Sequence, residues 1–397
     1  MAERNLNFGA VIDRRGKKSL KYDFANRRGY PEDVLPLWVA DMDFKTSSYI
    51  EDALAEVVSH NIYGYTNIQR GDGFFEAVAG WMKRHHNWEV KPEWHVVTPG
   101  VCFAIGCAIK AYTDVGESVI IQQPVYYPFS NLIRENNRNL VINELKYDGK
   151  GHYSIDFDDF ERKIIENEVK LFILCNPHNP VGRVWTKQEL ERLGDICHKN
   201  NVIVFSDEIH FDFIWSGEHQ IFQEIKPEFK EFTITATAPT KTFNLAGLQQ
   251  SNIFIPNRNL KHDFIKEYDA TGMDEPNIFG IAAAEAAYTH GDEWYEASHK
   301  YIKDNIDFAD RYIKENIPGV KLVPTEGTYL IWLDFTDTKI EPEVIDSLII
   351  NKAKLWLDSG KIFGKTGEGF QRINVACPRC VLENALSRIQ KCLSDVV

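Results

Sequence analysis

Leu171-Phe172-Ile173-Leu174 and Val202-Ile203-Val204-Phe205 are two wholly apolar runs, separated by a Glu-, Lys- and Arg-rich stretch from about Thr186 to Asn200. Runs this short, dominated by β-branched and aromatic residues, predict strands buried on both faces; the charged stretch between them predicts a helix. The same alternation extends in both directions. Upstream lie Trp94-His95-Val96-Val97-Thr98, then Gly100 and a helical pattern through Tyr112, then Ser118-Val119-Ile120-Ile121. Downstream lie Phe232-Thr233-Ile234-Thr235 and Asn252-Ile253-Phe254-Ile255. Apolar strands separated by helices predict a mostly parallel sheet covered on both sides, an α/β fold. Such sheets bind ligands at the carboxyl ends of their strands, so the residues after each run carry the functional information.

Those strand ends are rich in chemistry. After the first comes Thr98-Pro99-Gly100-Val101-Cys102, where glycine and a helix N-terminus suit an anion. After the second, Gln123-Pro124-Val125-Tyr126-Tyr127-Pro128 offers tyrosine, either as turn packing or as a cover for a flat ligand. The third ends in Cys175-Asn176-Pro177-His178-Asn179-Pro180-Val181-Gly182, a loop stiffened by two Asn-Pro steps. The fourth ends in Ser206-Asp207-Glu208-Ile209-His210; a carboxylate following four apolar residues is costly unless it meets a cation. The fifth ends in Thr237-Ala238-Pro239-Thr240-Lys241-Thr242-Phe243, whose lysine is either a surface residue or an amine of lowered pKa. A phosphate anchor, an aromatic cover, an amide, a carboxylate and a lysine together match what pyridoxal 5'-phosphate requires.

Composition bounds the alternatives. The chain has 397 residues, 44% hydrophobic and 26% charged, which suits a folded protein of more than one ordinary core. Its formal net charge of −13 disfavours nucleic acid or anionic lipid as partners through net field. The basic stretch Arg14-Arg15-Gly16-Lys17-Lys18 reads as a solvated N-terminal turn. Seven scattered cysteines predict a reducing, cytoplasmic setting. Cys377-Pro378-Arg379-Cys380 lacks the second pair that a zinc ribbon needs, so no metal site is expected and a turn before a helix is the better reading. The polar stretch from Met1 to Leu20 shows no signal peptide, and no apolar run is long enough to span a membrane.

The motifs resemble those of fold-type-I aminotransferase-like enzymes over nearly the whole chain. Asn179-Pro180-Val181-Gly182 is similar to that superfamily's Asn-Pro-x-Gly turn, and Arg372, in Gln371-Arg372-Ile373-Asn374, matches its carboxylate-binding arginine. Gly327-Thr328-Tyr329-Leu330 resembles a strand of the small C-terminal domain. Within the superfamily the chain resembles the MalY/PatB-type branch of cystathionine β-lyases. The branch likeness is carried by Asp13-Arg14-Arg15-Gly16 with Ser19-Leu20-Lys21-Tyr22-Asp23, by Leu37-Trp38-Val39-Ala40-Asp41-Met42-Asp43-Phe44, by Tyr63-Gly64-Tyr65-Thr66 and by Ala376-Cys377-Pro378-Arg379.

The resemblance implies the roles. Lys241 forms the imine with the cofactor and acts as the base. Asp207 holds the pyridine nitrogen, Asn179 the phenolic oxygen, and Tyr126 covers the ring. Arg372, Ala40 and Tyr65 meet the substrate. His210 stands three residues after Asp207, where many transaminases have tyrosine. Gln249 stands eight after Lys241, where many have a phosphate-binding arginine. The phosphate then falls to the backbone of Val101 and Cys102, to Thr240 and to Tyr65 of a second subunit. The implied architecture is a large domain, residues 49–290, with a mostly parallel seven-stranded sheet. A smaller α+β domain combines 1–48 with 291–397 and ends in a helix around Val381 to Leu393. The implied assembly is a homodimer with shared active sites. The implied reaction is β-elimination from L-cystathionine or another cysteine thioether, giving a thiol, pyruvate and ammonia. An aminotransferase, or a regulator-binding protein on the same fold, are the alternatives.

Overall fold

The structure, a computed structural model, describes residues 2–68, 71–273 and 275–394. Its main sheet has seven strands: β1 (His95–Thr98), β2 (Ser118–Gln123), β3 (Asn139–Glu144), β4 (Leu171–Cys175), β5 (Ile203–Asp207), β6 (Thr233–Thr237) and β7 (Ser251–Phe254). Their spatial order is β1-β7-β6-β5-β4-β2-β3. The run from β6 to β3 is parallel, and β7 is antiparallel to both its neighbours. The strands predicted from apolar runs are all present, with ends shifted by a residue or two. Trp94 departs from the expectation: Pro92 starts a short 3-10 turn that contains it, so β1 begins at His95. β3 has no counterpart among the predicted strands. It lies at the sheet edge and is buried on alternate residues only, and one of its two buried positions is Asn143, whose amide is bonded to Gln122 and to the Asp156 carbonyl, so no apolar run marks it.

Alternation along the central strands builds two cores. Phe172, Leu174 and Val204 face one side with Leu190, Leu193 and Trp185. Leu171, Ile173 and Phe205 face the other with Ala104, Ile105 and Ala108. The helices around the sheet are set by local chemistry, and α1 packs on the helix at 278–290 rather than on either of these faces. α1 (Ser48–His60) is capped by the Ser47 hydroxyl, and α2 (Val101–Tyr112) starts directly from Gly100. α3 (Lys187–Lys199) opens with a reciprocal cap between Thr186 and Glu189. It buries Leu190, Leu193, Ile196 and Cys197, the periodic stripe that marks one helical face.

The C-terminal part follows α4 (Ile278–His290) and the long α5 (Asp292–Asn316). It contains a four-stranded antiparallel sheet: β8 (Lys321–Leu322), β9 (Leu330–Asp334), β10 (Asp358–Ser359) and β11 (Phe370–Asn374), ordered β8-β9-β11-β10. The last helix, α6, spans Arg379–Ser394. The Cys377–Cys380 segment is the turn that leads into it; Cys377 is buried, Cys380 exposed, and neither is in a disulfide. Leu35–Pro36 pairs with Leu355–Trp356, which ties the N-terminal segment to this part.

The basic stretch near the N-terminus needs a correction. Arg15, Lys17 and Lys18 are exposed, but Arg14 donates to both Asp41 and Asp43. Lys21 is fully buried against Asp43, with Nζ–Oδ2 at 2.8 Å. Folding the segment Trp38 to Phe44 inward buries the Asp43 carboxylate and half-buries that of Asp41, and these cations neutralise them.

Candidate active site

The carboxyl ends of the strands converge on a cavity of about 280 Å³. β1 leads through Gly100 to Val101 and Cys102, and β2 leads to Tyr126. β4 leads to Asn179. β5 ends at Asp207, with His210 just beyond. β6 leads to Thr240 and Lys241. Ala40 and Arg372 reach the same cavity from the N-terminal segment and from β11. Tyr65 stands apart: it is 95% exposed and does not line the cavity. Gln249 also lies outside it, in a left-handed turn.

Lys241 is partly buried, and its Nζ donates to the Ala40 carbonyl at 2.8 Å. The Tyr329 hydroxyl donates to the same oxygen at 3.0 Å. Burial pushes the Lys241 amine below its usual pKa, with Asp41 pulling the other way and Arg372 adding to the drop. A lysine of this kind supplies neutral amine, and hence a base or nucleophile, closer to neutral pH.

Asp207 closes β5, and among the described residues its carboxylate accepts only from the Ile209 N–H, at 3.2 Å. Burial lifts its carboxyl from 3.8 to about 7. A carboxylate so poorly served by donors is stabilised by a cation placed in the cavity. The linkage sign follows directly. A carboxyl whose folded pKa is raised binds more protons folded than unfolded, so its contribution is complete below pH 4 and is lost as pH rises towards 7. For the protein without ligand, the stability of wild type relative to Asp207→Asn should therefore fall across that window, by up to roughly 4 kcal/mol. Urea titrations at pH 4.5 and 8 measure this. A difference that stays flat, or rises with pH, contradicts it.

Arg372 is held on three sides. Nη1 donates to Asn179 Oδ1 and Nη2 to the Trp38 carbonyl, both at 2.9 Å, and Nη2 also pairs with Asp358. Because the Asn179 oxygen is committed to Arg372, its amide presents NH2 to a ligand. His210 is 4% exposed and its Nδ1 lacks a partner. Burial keeps its imidazole well below the usual range, hence neutral. Burial likewise holds the Tyr126 phenol above its usual range and pushes the Cys102 thiol up to about 11, so neither ionises near neutral pH.

At the other end of the cavity, α2 begins with no acidic residue and no side-chain cap, leaving its first N–H groups for an anion. A Cβ on Gly100 would project into open space rather than into protein, which keeps that approach clear for a ligand. An anion site, an uncompensated carboxylate, a free amide NH2 and a primary amine of lowered pKa thus surround one cavity. These groups fit pyridoxal phosphate at its phosphate, ring nitrogen, phenolic oxygen and aldehyde.

Residues 32–389 match the family model described as aminotransferase class I and II. The chain belongs to that family. Within it, the chain is 39% identical over 390 residues to the cystathionine β-lyase PatB of Bacillus subtilis, covering 98% of this chain and 100% of that protein. It is 30% identical to the protein MalY of Escherichia coli, covering 96% and 97%. Among solved structures it is similar to cystalysin from Treponema denticola, which contains a pyridoxal 5'-phosphate cofactor. There the TM-score is 0.93 at 38% identity, covering 98% of this chain and 99% of that one. The family therefore bears out the α/β fold-type-I architecture and the branch that the Trp38–Phe44 and Ala376–Arg379 motifs indicate.

Sequence reasoning missed three parts of the site. Tyr329 was read as strand, but β9 starts at Leu330 and the Tyr329 hydroxyl reaches the Ala40 carbonyl. Asp41 was read only as part of a branch motif, yet its charge bears on Lys241. Asp358 was not singled out, although it follows Leu355-Trp356-Leu357 as Asp207 follows its own apolar run. That signal was available and would have found it.

Proposed function

We propose that this chain is a pyridoxal-phosphate-dependent carbon–sulfur β-lyase that cleaves L-cystathionine or related cysteine thioethers to a thiol, pyruvate and ammonia. The observation that carries the reading is the meeting of Lys241, Asp207, Asn179 and Arg372 in one cavity, in a chain similar over its full length to a cystathionine β-lyase.

The cofactor, when bound, supplies an electron sink conjugated to the substrate's α-carbon. Everything else falls to the protein. The first N–H groups of α2, at Val101 and Cys102, and the Thr240 hydroxyl hold the phosphate. Asp207 would keep a proton on the ring nitrogen, Asn179 would donate to the phenolic oxygen, Tyr126 would cover the ring face, and His210 lines the same cavity. Lys241 anchors the cofactor. Arg372 fixes the substrate carboxylate, which orients the α-C–H bond. Ala40 lines the substrate side and holds the Lys241 amine through its carbonyl. Lys241 Nζ, at the Ala40 carbonyl, would serve as the general base that takes the substrate's α-proton. The thiolate then departs from Cβ, a favourable leaving group because it is a weak base.

The test is product analysis. L-cystathionine should yield homocysteine, pyruvate and ammonia in equal amounts without any added 2-oxo acid. Amino transfer that requires a 2-oxo acid and releases no thiol would replace this reading with an aminotransferase.

A homodimer with Tyr65 lent to the partner's site accompanies the proposal. Val58, Ile62, Tyr63 and Tyr65 are exposed apolar residues on one stretch, and the Tyr63 ring lies 5.7 Å from Phe279 at the start of α4. That apolar face supports a partner surface. Sedimentation at the single-chain mass of 45.7 kDa would remove it. Two domains, 49–290 and 1–48 with 291–397, complete the picture, supported by the pairing of Leu35–Pro36 with Leu355–Trp356. Hydrogen exchange that shows one cooperative unit across the 290/291 step would refute the division. Among the described residues no helix is long and apolar enough to cross a membrane. The cysteines, none in a disulfide, support a cytoplasmic place in sulfur amino acid metabolism, and cell fractionation checks it.

A further inference from the structure

The turn that carries Lys241 is short, running from Pro239 to Thr242. Its three polar side chains part ways. Thr240 lines the cavity, and Lys241 Nζ donates to the Ala40 carbonyl. Thr242 is fully buried and does not line the cavity; its hydroxyl donates to Asp212 Oδ2. Asp212 gathers further elements. Its carboxylate also accepts from Trp81 Nε1 at 3.1 Å and meets His86 Nε2 at 2.7 Å, both on the helix Phe74–His86. Its backbone carbonyl accepts from the Tyr295 hydroxyl of α5 at 2.5 Å. Asp212 is buried, lies outside the cavity and is well served by donors, in contrast to Asp207.

Its place in the chain gives this hub a meaning. Asp212 stands on the segment that follows Asp207 and His210. Pyridoxal phosphate is flat and rigid, so the partner of its ring nitrogen and the amine that meets its aldehyde must be held at one spacing. Asp207 and Lys241 follow on neighbouring parallel strands, β5 and β6. Beyond the strands the sheet no longer sets that spacing. Among the described residues, the last backbone hydrogen bond between the two segments runs from the Glu208 N–H to the Ala236 carbonyl, at 2.9 Å. The Thr242–Asp212 contact then joins them through side chains. Asn244 and Thr46 tie the residues just after the turn to the N-terminal segment instead. A lysine whose amine has one hydrogen bond takes its direction from the backbone that carries it, and this contact fixes that backbone against the Asp207 segment.

We propose that Asp212 is a positioning residue for Lys241: through the Thr242 hydroxyl it fixes the turn so that the amine stands at the cofactor's aldehyde while Asp207 stands at the ring nitrogen. The inference rests on Lys241 anchoring the cofactor, as in the lyase reading, but not on the elimination step.

The experiment measures, by equilibrium dialysis, how tightly the full-length chain holds two forms of the cofactor. Pyridoxal phosphate can bond to Lys241. Pyridoxamine phosphate has the same ring and phosphate with an amine in place of the aldehyde, so it reads the cavity without the lysine. Thr242→Val removes the hydroxyl at nearly the same shape. It should weaken pyridoxal phosphate by about ten-fold, because a misdirected amine has a lower effective concentration at the aldehyde, and pyridoxamine phosphate by less than about two-fold. Thr242→Ser, which keeps the hydroxyl, should restore the affinity for pyridoxal phosphate. Asp212→Ala should show the same selective loss; should it fail to fold, the two Thr242 variants decide by themselves. Equal losses for the two forms in Thr242→Val mean a general loosening of the cavity and overturn the proposal. So do unchanged affinities in that variant, a Thr242→Ser that behaves like Thr242→Val, or a folded Asp212→Ala that binds both forms as wild type does. No thioether is cleaved in these measurements, so failure of the lyase reading is told apart from failure of this one.

Discussion

Lys241→Ala should lower the rate of thiol release from L-cystathionine by roughly a thousand-fold or more, because one amine serves as both cofactor anchor and proton acceptor. The stability of the protein should change little. Lys241 Nζ makes a single hydrogen bond, to the Ala40 carbonyl, and Tyr329 still donates to that oxygen when the amine is gone. Its buried amine also pays a desolvation cost, visible in its lowered pKa, that the variant avoids. The two readouts are a steady-state rate and a melting temperature, and they should separate. A residual rate within about ten-fold of wild type would mean that another group takes the α-proton.

Arg372→Leu should act on both activity and stability. It removes the group proposed to receive the substrate carboxylate, so KM should rise steeply. It also leaves Asp358 buried without its cation and strips donors from Asn179 Oδ1 and the Trp38 carbonyl. Breaking a buried pair in this way costs roughly 3–5 kcal/mol. The cause can be isolated with Arg372→Leu/Asp358→Leu, which removes both charges and should recover most of the lost stability. Urea unfolding of the three proteins decides it. If the double variant is no more stable than Arg372→Leu, the loss comes from packing against Phe363, over whose ring the guanidinium lies at 4.8 Å, and not from the stranded acid.

What could be read from the sequence was local. Asp207, Asn179, Lys241 and the Gly100 turn each lie within a few residues of the end of an apolar run, so a short pattern located both strand and site residue. Arg372 and Tyr126 came from motifs of similar length. What escaped reading depends on partners distant in the chain. Lys241 meets Ala40 across 201 residues, and Arg372 meets Asn179 across 193. Arg14 looks like part of a solvated turn because its partners, Asp41 and Asp43, meet it only once the Trp38–Phe44 segment folds in. Asn374 holds that segment by donating to the Val39 and Asp41 carbonyls, and Asn244 holds it through the backbone of Met42. No short pattern reveals such clamps. The edge strand β3 escaped for a different reason: burial on one face gives a weaker apolar run than burial on two.

The central claim is that Lys241, set in this cavity with Asp207 and Arg372, drives β-elimination. The most direct measurement couples pyruvate release from L-cystathionine to lactate dehydrogenase, for wild type and Lys241→Ala, with the visible spectrum of each recorded alongside. The account predicts a cofactor band and pyruvate in wild type, without added 2-oxo acid, and loss of both in the variant. A wild-type chain that shows the band but releases no pyruvate from any cysteine thioether, or a variant that retains both, would contradict it.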